Sequence, residues 1–259
     1  MTLTPRAFHA LALCAGFIAA PLAADTLVVG MQQEPTSLDP TADATASIDS
    51  MLTMNVYEAL TTVAENGEVM PNLATGWEVS DDGLTYTFTL AQGVTFHDGS
   101  ACDADDVVFS FNRAMADDSV NPSKGIFKPI GSVSALDAQT VQIPLTQPDA
   151  FFLFNMGQGD SAIVAEGTVE ANASSPVGTG PFKFESWARG DRLVLVKNPD
   201  YRDAGNVALD RVEFRFISDP TAAFAAVMAE DVDAFISFPA PENLPQFEAD
   251  PRFQVLVGN

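Results

Sequence analysis

Between residues 212 and 257 the chain alternates short apolar, β-prone runs with helix-forming ones, and this alternation restricts the fold more than any other feature. Residues 212–217 read as a strand, Asp219 and Pro220 as the cap and first turn of a helix reaching Ala229, 234–237 as a strand, 242–248 as a short helix and 253–257 as a last strand. Strands joined by helical crossovers of this length pair in parallel, with right-handed connections. In an open parallel sheet, ligands settle outside the carboxyl ends of the strands, so the loops following each strand are the places to look. A first strand at 26–30 adds its own loop to those after 217, 237 and 257. Gln32, Gln33, Glu34 and Ser237 offer polar groups there and Phe238 an aromatic wall, the mixture expected of a small-molecule cleft. A parallel strand that closes the sequence with nothing to cover it suggests part of a larger architecture. Its edge, 253–257, is expected to be exposed and prone to association.

Upstream the period changes. In residues 83–100 (GLTYTFTLAQGVTFHDGS), Leu84, Tyr86, Phe88 and Leu90 point one way and Thr85, Thr87 and Thr89 the other, which marks a strand with one buried and one wet face. Residues 94–96 are expected to resume the sheet before His97, Asp98 and Gly99 turn the chain. Asp103 then caps a helix with an apolar stripe of Val107, Val108, Phe111, Ala114 and Met115, and Asp106 sits where a carboxylate meets free first-turn N–H groups. Ile48, Met51, Leu52, Val56, Ala59 and Leu60 recur at three and four and predict another helix. Asn66-Gly67 predicts a tight hairpin between 62–64 and 69–70, and 133–136 pairs with 141–145 around Asp137. Residues 176–182 (PVGTGPF) read as a crossing between structural units, followed by paired strands at 182–186 and 193–197.

The charge balance excludes some partners. Thirty-five acids against 12 bases give −23, and nucleic acid or an anionic membrane surface would be repelled. Residues 1–24 contain no acid, one base (Arg6) and an apolar run at 7–20, the outline of a secretory signal peptide cleaved after Ala24. Its removal leaves 11 bases against 35 acids, one cysteine (Cys102) and one histidine (His97). No intrachain disulfide can then form, and the protein is expected to be exported and soluble.

A single histidine rules out sites needing two or three imidazole ligands, and a Ser-His-Asp arrangement could be built only on His97. The sequence has no G-x-S-x-G, P-loop, H-E-x-x-H or C-x-x-C pattern. Asp105 and Asp106 are adjacent and point apart on a helix, so capping explains them without catalysis or Ca²⁺. No catalytic residue, metal or cofactor is expected.

Several segments together resemble one family. EPTSLDP (34–40), PNLATGWEVSDDGLTYTFTLAQGVTFHDG (71–99) with Ala104-Asp105-Asp106-Val107, GTGPF (178–182) and NPDY (198–201) look like the peptide/nickel-type solute-binding proteins, family 5, that deliver cargo to ABC importers. The resemblance implies an α/β fold, lobe one of a class II periplasmic-binding-protein clamshell. It comprises an incomplete mixed-sheet domain (25–44 and 176–259) and an inserted α+β subdomain (45–175), with the second lobe absent. It also implies a periplasmic protein, monomeric in full-length form, that captures small peptides or a similar solute for an inner-membrane permease. In that family the HDG turn belongs to a structural subdomain. Two positions depart from the pattern: Glu230 stands where glycine usually ends the helix, and Arg202 replaces a common tryptophan. A truncated product without independent function and an exported hydrolase are the rival readings.

Overall fold

The structure, a computed structural model, describes residues 25–256; the leader read over 1–24 lies outside the described residues. In chain order the elements begin with β1 (Thr26–Met31), α1 (Ala46–Leu52), β2 (Thr61–Val63), β3 (Val69–Pro71), β4 (Ala74–Val79), β5 (Thr85–Leu90) and α2 (Ala104–Met115). They continue with β6 (Ser134–Asp137), β7 (Thr140–Pro144), α3 (Phe152–Asn155), β8 (Phe182–Ala188), β9 (Arg192–Lys197), β10 (Arg211–Phe216), α4 (Pro220–Met228), β11 (Ala234–Ile236) and α5 (Leu244–Glu248).

Two sheets organise these elements. The first has the order β11-β1-β10-β9-β8, in which β1 runs parallel to both β10 and β11 while β8, β9 and β10 form an antiparallel meander. The second, β4-β5-β7-β6, is antiparallel throughout, and β2 with β3 makes a separate hairpin at Asn66-Gly67. The alternation in β5 does what its period requires: Tyr86, Phe88 and Leu90 are buried and Thr89 is exposed. They join the core packed by α2, whose Val107, Phe111 and Ala114 are buried. Asp103 caps α2 through the Asp105 N–H, and the Asp106 carboxylate accepts the Asp103 N–H at 3.0 Å, closing a capping box.

A second core lies under one face of the five-stranded sheet, where Val29, Met31, Leu193, Leu195, Val212 and Phe214 meet α1 and Tyr57. On the opposite face the ring of Phe235 lies directly over Gly30, leaving no room for a Cβ there. Phe238, Phe247 and Phe253 extend that aromatic layer, with centroids 5.3–5.4 Å apart in edge-on pairs.

Three segments differ from the sequence expectation. The helix begun at α1 stops at Leu52 because Met54 takes a left-handed backbone (φ 65°), yet Val56, Ala59 and Leu60 remain buried on the loop that follows. Residues 94–96 do not rejoin the sheet; they fold back on 100–102 through Phe96 N–H to Ser100 O (2.8 Å) and Cys102 N–H to Val94 O (2.9 Å). Over its described part, 253–256, the last expected strand is unpaired, and β11 forms the open parallel edge. Its composition is strand-like, but a strand exists only where a neighbouring edge takes up its backbone groups.

Candidate functional site

Parallel pairing of β10, β1 and β11 brings three strand ends to one rim. Met31 lies opposite both Phe216 and Ile236, so Gln32, Ile217 and Ser237 each stand one residue past the last paired position. The β8–β9 hairpin joins the same rim, because β9 runs antiparallel to β10 and pairs Arg192 with Arg215.

Gln32 and Gln33 are exposed there. Glu34 is committed elsewhere: one carboxylate oxygen accepts the Trp187 Nε1–H at 2.9 Å and the other the Gly190 N–H at 3.0 Å. Arg189 completes the corner, its guanidinium 3.3 Å from the Trp187 ring centroid while it donates to the Pro35 and Thr36 carbonyls. Glu34 therefore positions the loop that displays Gln32 and Gln33, with neither oxygen left unbonded. Ser237 is a non-glycine residue in the left-handed region (φ 55°), and strain of this kind is concentrated where a backbone must present groups in a set direction. Asp219 caps α4 through the Ala222 N–H at 2.8 Å.

A groove of about 700 Å³ opens beside the rim. Its wall includes Ser237 and Phe238 but not Gln32, Gln33 or Glu34. The structure thus divides the five expected residues: two glutamines at the rim, one carboxylate behind them, and Ser237 with Phe238 on the groove side. Trp187 and Arg189 had no signal in the sequence, because the contact that recruits them spans 153 residues.

His97 is held as a structural clamp. Its Nε2–H donates to Gly180 O at 3.0 Å, its Nδ1 accepts the Gly178 N–H at 3.3 Å, and its own N–H donates to Gly178 O at 2.9 Å. Both ring nitrogens are engaged by backbone, and the Asp98 carboxylate serves Ser100. Burial lowers the His97 pKa to about 4, against the opposing hydrogen bond to the Gly180 carbonyl and the smaller effect of Asp98 and with Lys183 adding to the lowering, so the ring is neutral at pH 7. Burial also pushes the Cys102 thiol up, with Asp106 and Glu58 adding to the effect, which leaves it a poor nucleophile. The glycines of the GTGPF segment are required by contact: a Cβ on Gly178 would overlap the Val56 carbonyl, and one on Gly180 the Asn55 carbonyl. Among the described residues no helix is long and apolar enough to cross a membrane.

Comparison with known proteins agrees with this architecture. The family model for bacterial extracellular solute-binding proteins, family 5 Middle, matches residues 68–259. The glutathione-binding protein GsiB of Salmonella paratyphi A is 33% identical over 92% of this chain and 47% of its own length. Di/tripeptide-binding protein 4 of Pseudomonas aeruginosa is 32% identical over 95% of this chain and 50% of its own. The Helicobacter pylori ABC transporter-associated periplasmic binding protein DppA, solved with the peptide STSA, superimposes with a TM-score of 0.78 at 31% identity, over 87% of this chain and 49% of that one. The chain spans about half the length of the curated relatives it matches, and its α/β fold corresponds to one lobe of a periplasmic binding protein.

Proposed function

Because the chain belongs to family 5 of the bacterial extracellular solute-binding proteins, we propose that it supplies one wall of a periplasmic receptor that captures small peptides or a related solute for an ABC importer. In this reading 25–44 and 176–259 form the sheet domain and 45–175 an inserted subdomain, although α1 packs beneath the sheet. The observation that carries the reading is the common rim at the carboxyl ends of β1, β10 and β11, the place where open parallel sheets hold ligands. Gln32 and Gln33 donate to and accept from a peptide backbone. Glu34 fixes their loop, and Ser237 and Phe238 mark the far side of the contact.

Affinity of the whole receptor comes from removing the solute from water on two sides, so a single wall binds weakly. The test is amide chemical-shift mapping with di- to pentapeptides and glutathione at millimolar concentration. Shifts at Gln32, Gln33 and Ser237 are expected, and their absence overturns the site. A micromolar Kd for this chain alone would overturn the two-wall account.

A further inference from the structure

Asn66 and Gly67 form the tip of the β2–β3 hairpin, and theirs is the one asparagine-glycine pair in the sequence. The loop closes by two backbone bonds, Ala64 N–H to Glu68 O at 2.9 Å and Gly67 N–H to Ala64 O at 2.8 Å, with Gly67 left-handed at φ 82°. A tight turn of this kind selects asparagine followed by glycine. The same pair is chemically labile, because without a Cβ on Gly67 its backbone nitrogen can approach the side-chain carbonyl carbon of Asn66. Every other asparagine that is followed by a residue precedes one carrying a Cβ.

We propose that Asn66 is a site of spontaneous deamidation, its amide activated by the turn and its reaction gated by the opening of that turn. The Gly67 nitrogen attacks Asn66 Cγ and gives up its proton; the Cγ–Nδ2 bond breaks, Nδ2 takes a proton and leaves as ammonia, and a five-membered imide remains. Water then opens the imide at either carbonyl. Opening at Cγ yields aspartate, whereas opening at the main-chain carbonyl yields isoaspartate, which carries the chain through the former side chain. One water is consumed and one ammonia released, with no change of oxidation state.

Three features of the turn support this. The Glu68 N–H donates to Asn66 Oδ1 at 3.0 Å, which polarises Cγ and meets the negative charge that forms on that oxygen during attack. Asn66 Nδ2 donates to the Glu68 carboxylate at 3.4 Å and holds the amide in this orientation. Asn66 and Gly67 are exposed, so water reaches the imide. The hairpin is a separate two-stranded sheet of three residue pairs, small enough to open locally. Opening is required, because the Gly67 nitrogen cannot attack while Ala64 O holds its N–H. Asp82-Gly83 and Asp98-Gly99 are exposed turns without the same lability. Hydrogen bonds, led by those from Ser80 and Ser100, hold both carboxyls below their usual range, and an ionised carboxylate is a poor electrophile. The product at residue 66 adds a carboxylate between Glu65 and Glu68, and isoaspartate also lengthens the backbone at the tip, so the modified hairpin is weakened.

The experiment holds the purified protein at physiological temperature and mildly alkaline pH and follows it by isoelectric focusing and by peptide mapping with mass spectrometry. A more acidic form, about one mass unit heavier, is expected to accumulate over days, with the change at residue 66 and isoaspartate detected by an isoaspartyl methyltransferase. Asn66→Gln, which would need a larger ring, and Gly67→Ala, whose Cβ hinders the nitrogen, should each slow its formation at least tenfold. In urea, where the Gly67 N–H is released, the wild type should react at least threefold faster than in buffer. No acidic form after several weeks, a change mapped to another residue, or an undiminished rate in Asn66→Gln would each overturn the site. Equal rates in urea and in buffer would overturn its gating by the turn.

Discussion

Arg202 grips Glu58 with two N–H···O bonds of 2.7 Å each, one to each carboxylate oxygen. The Glu58 side chain is fully buried and also accepts the Thr179 hydroxyl at 2.9 Å and the Tyr201 hydroxyl at 3.2 Å. Arg202 further donates to Asn72 at 2.9 Å. Residues from the loop after α1, the GTGPF segment and the NPDY segment thus share one carboxylate. The same burial, with the negative charge of Glu58 beside it, pushes the Tyr201 hydroxyl up to about 12.

Removing one partner of a buried ion pair leaves the other charge unsatisfied, and the cost is about 3–5 kcal/mol. Arg202→Met is therefore expected to lower stability by about 3 kcal/mol, at the low end because the arginine is partly exposed. The double variant Arg202→Met/Glu58→Gln should recover at least about 1 kcal/mol of that, since no uncompensated charge remains. Urea unfolding of the two variants measures both values; a double variant no more stable than the single one would contradict this account of the pair.

The neutral His97 clamp makes folding sensitive to acid. Its folded pKa of about 4 lies below the ordinary histidine value of 6.5, so the unfolded chain binds the extra proton first as pH falls. Stability from this group is complete above about pH 6.5 and is lost progressively toward pH 4, on the order of 3 kcal/mol. Carboxylates elsewhere contribute their own dependence, which His97→Gln shares. The difference in unfolding free energy between wild type and this variant should shrink by that amount from pH 7 to pH 4. A constant difference would show that the ring titrates alike in the folded and the unfolded chain.

Glu34→Ala removes the acceptor for Trp187 Nε1–H and Gly190 N–H and should cost about 1–2 kcal/mol. Release of the corner is read directly by a red shift in Trp187 emission and by amide exchange at Gly190 at least tenfold faster. If the loop carrying Gln32 and Gln33 kept its exchange rates, Glu34 would not be its anchor.

Glu230 has a left-handed backbone (φ 59°) immediately after α4. A side chain in that conformation costs about 1 kcal/mol relative to glycine. Glu230→Gly gives up an exposed pairing with Arg252, which keeps Asp250 as a partner, so the backbone effect should win. Thermal unfolding is expected a few degrees higher, and a lower transition would mean that the ion pair dominates.

Much of the fold was legible because it is written at short range. The period-two pattern from Leu84 to Leu90, the Asp103 and Asp219 caps and the Asn66-Gly67 hairpin each depend on neighbours within a few residues, and each appears where the sequence places it. The errors have the opposite origin. Apolar residues after Leu52 keep helical spacing but serve a buried loop, because burial satisfies them whatever the backbone does between. The strand read at 253–257 has the right composition and no edge to pair with among the described residues. Of the rim, Gln32 and Gln33 were legible as polar residues after a strand, whereas the use of both Glu34 oxygens was not.

By itself the sequence determined where strands, caps and turns begin, that the ends of β1, β10 and β11 would share a rim, and that His97 could not belong to a multi-histidine site. The tertiary structure alone decided the order β11-β1-β10-β9-β8, the joining of Glu58 to Arg202 across 144 residues of chain, and the open edge beside 253–256. The reason is physical: periodicity and capping are set by contacts along the chain, while strand order and buried pairing depend on which distant surfaces exclude water together.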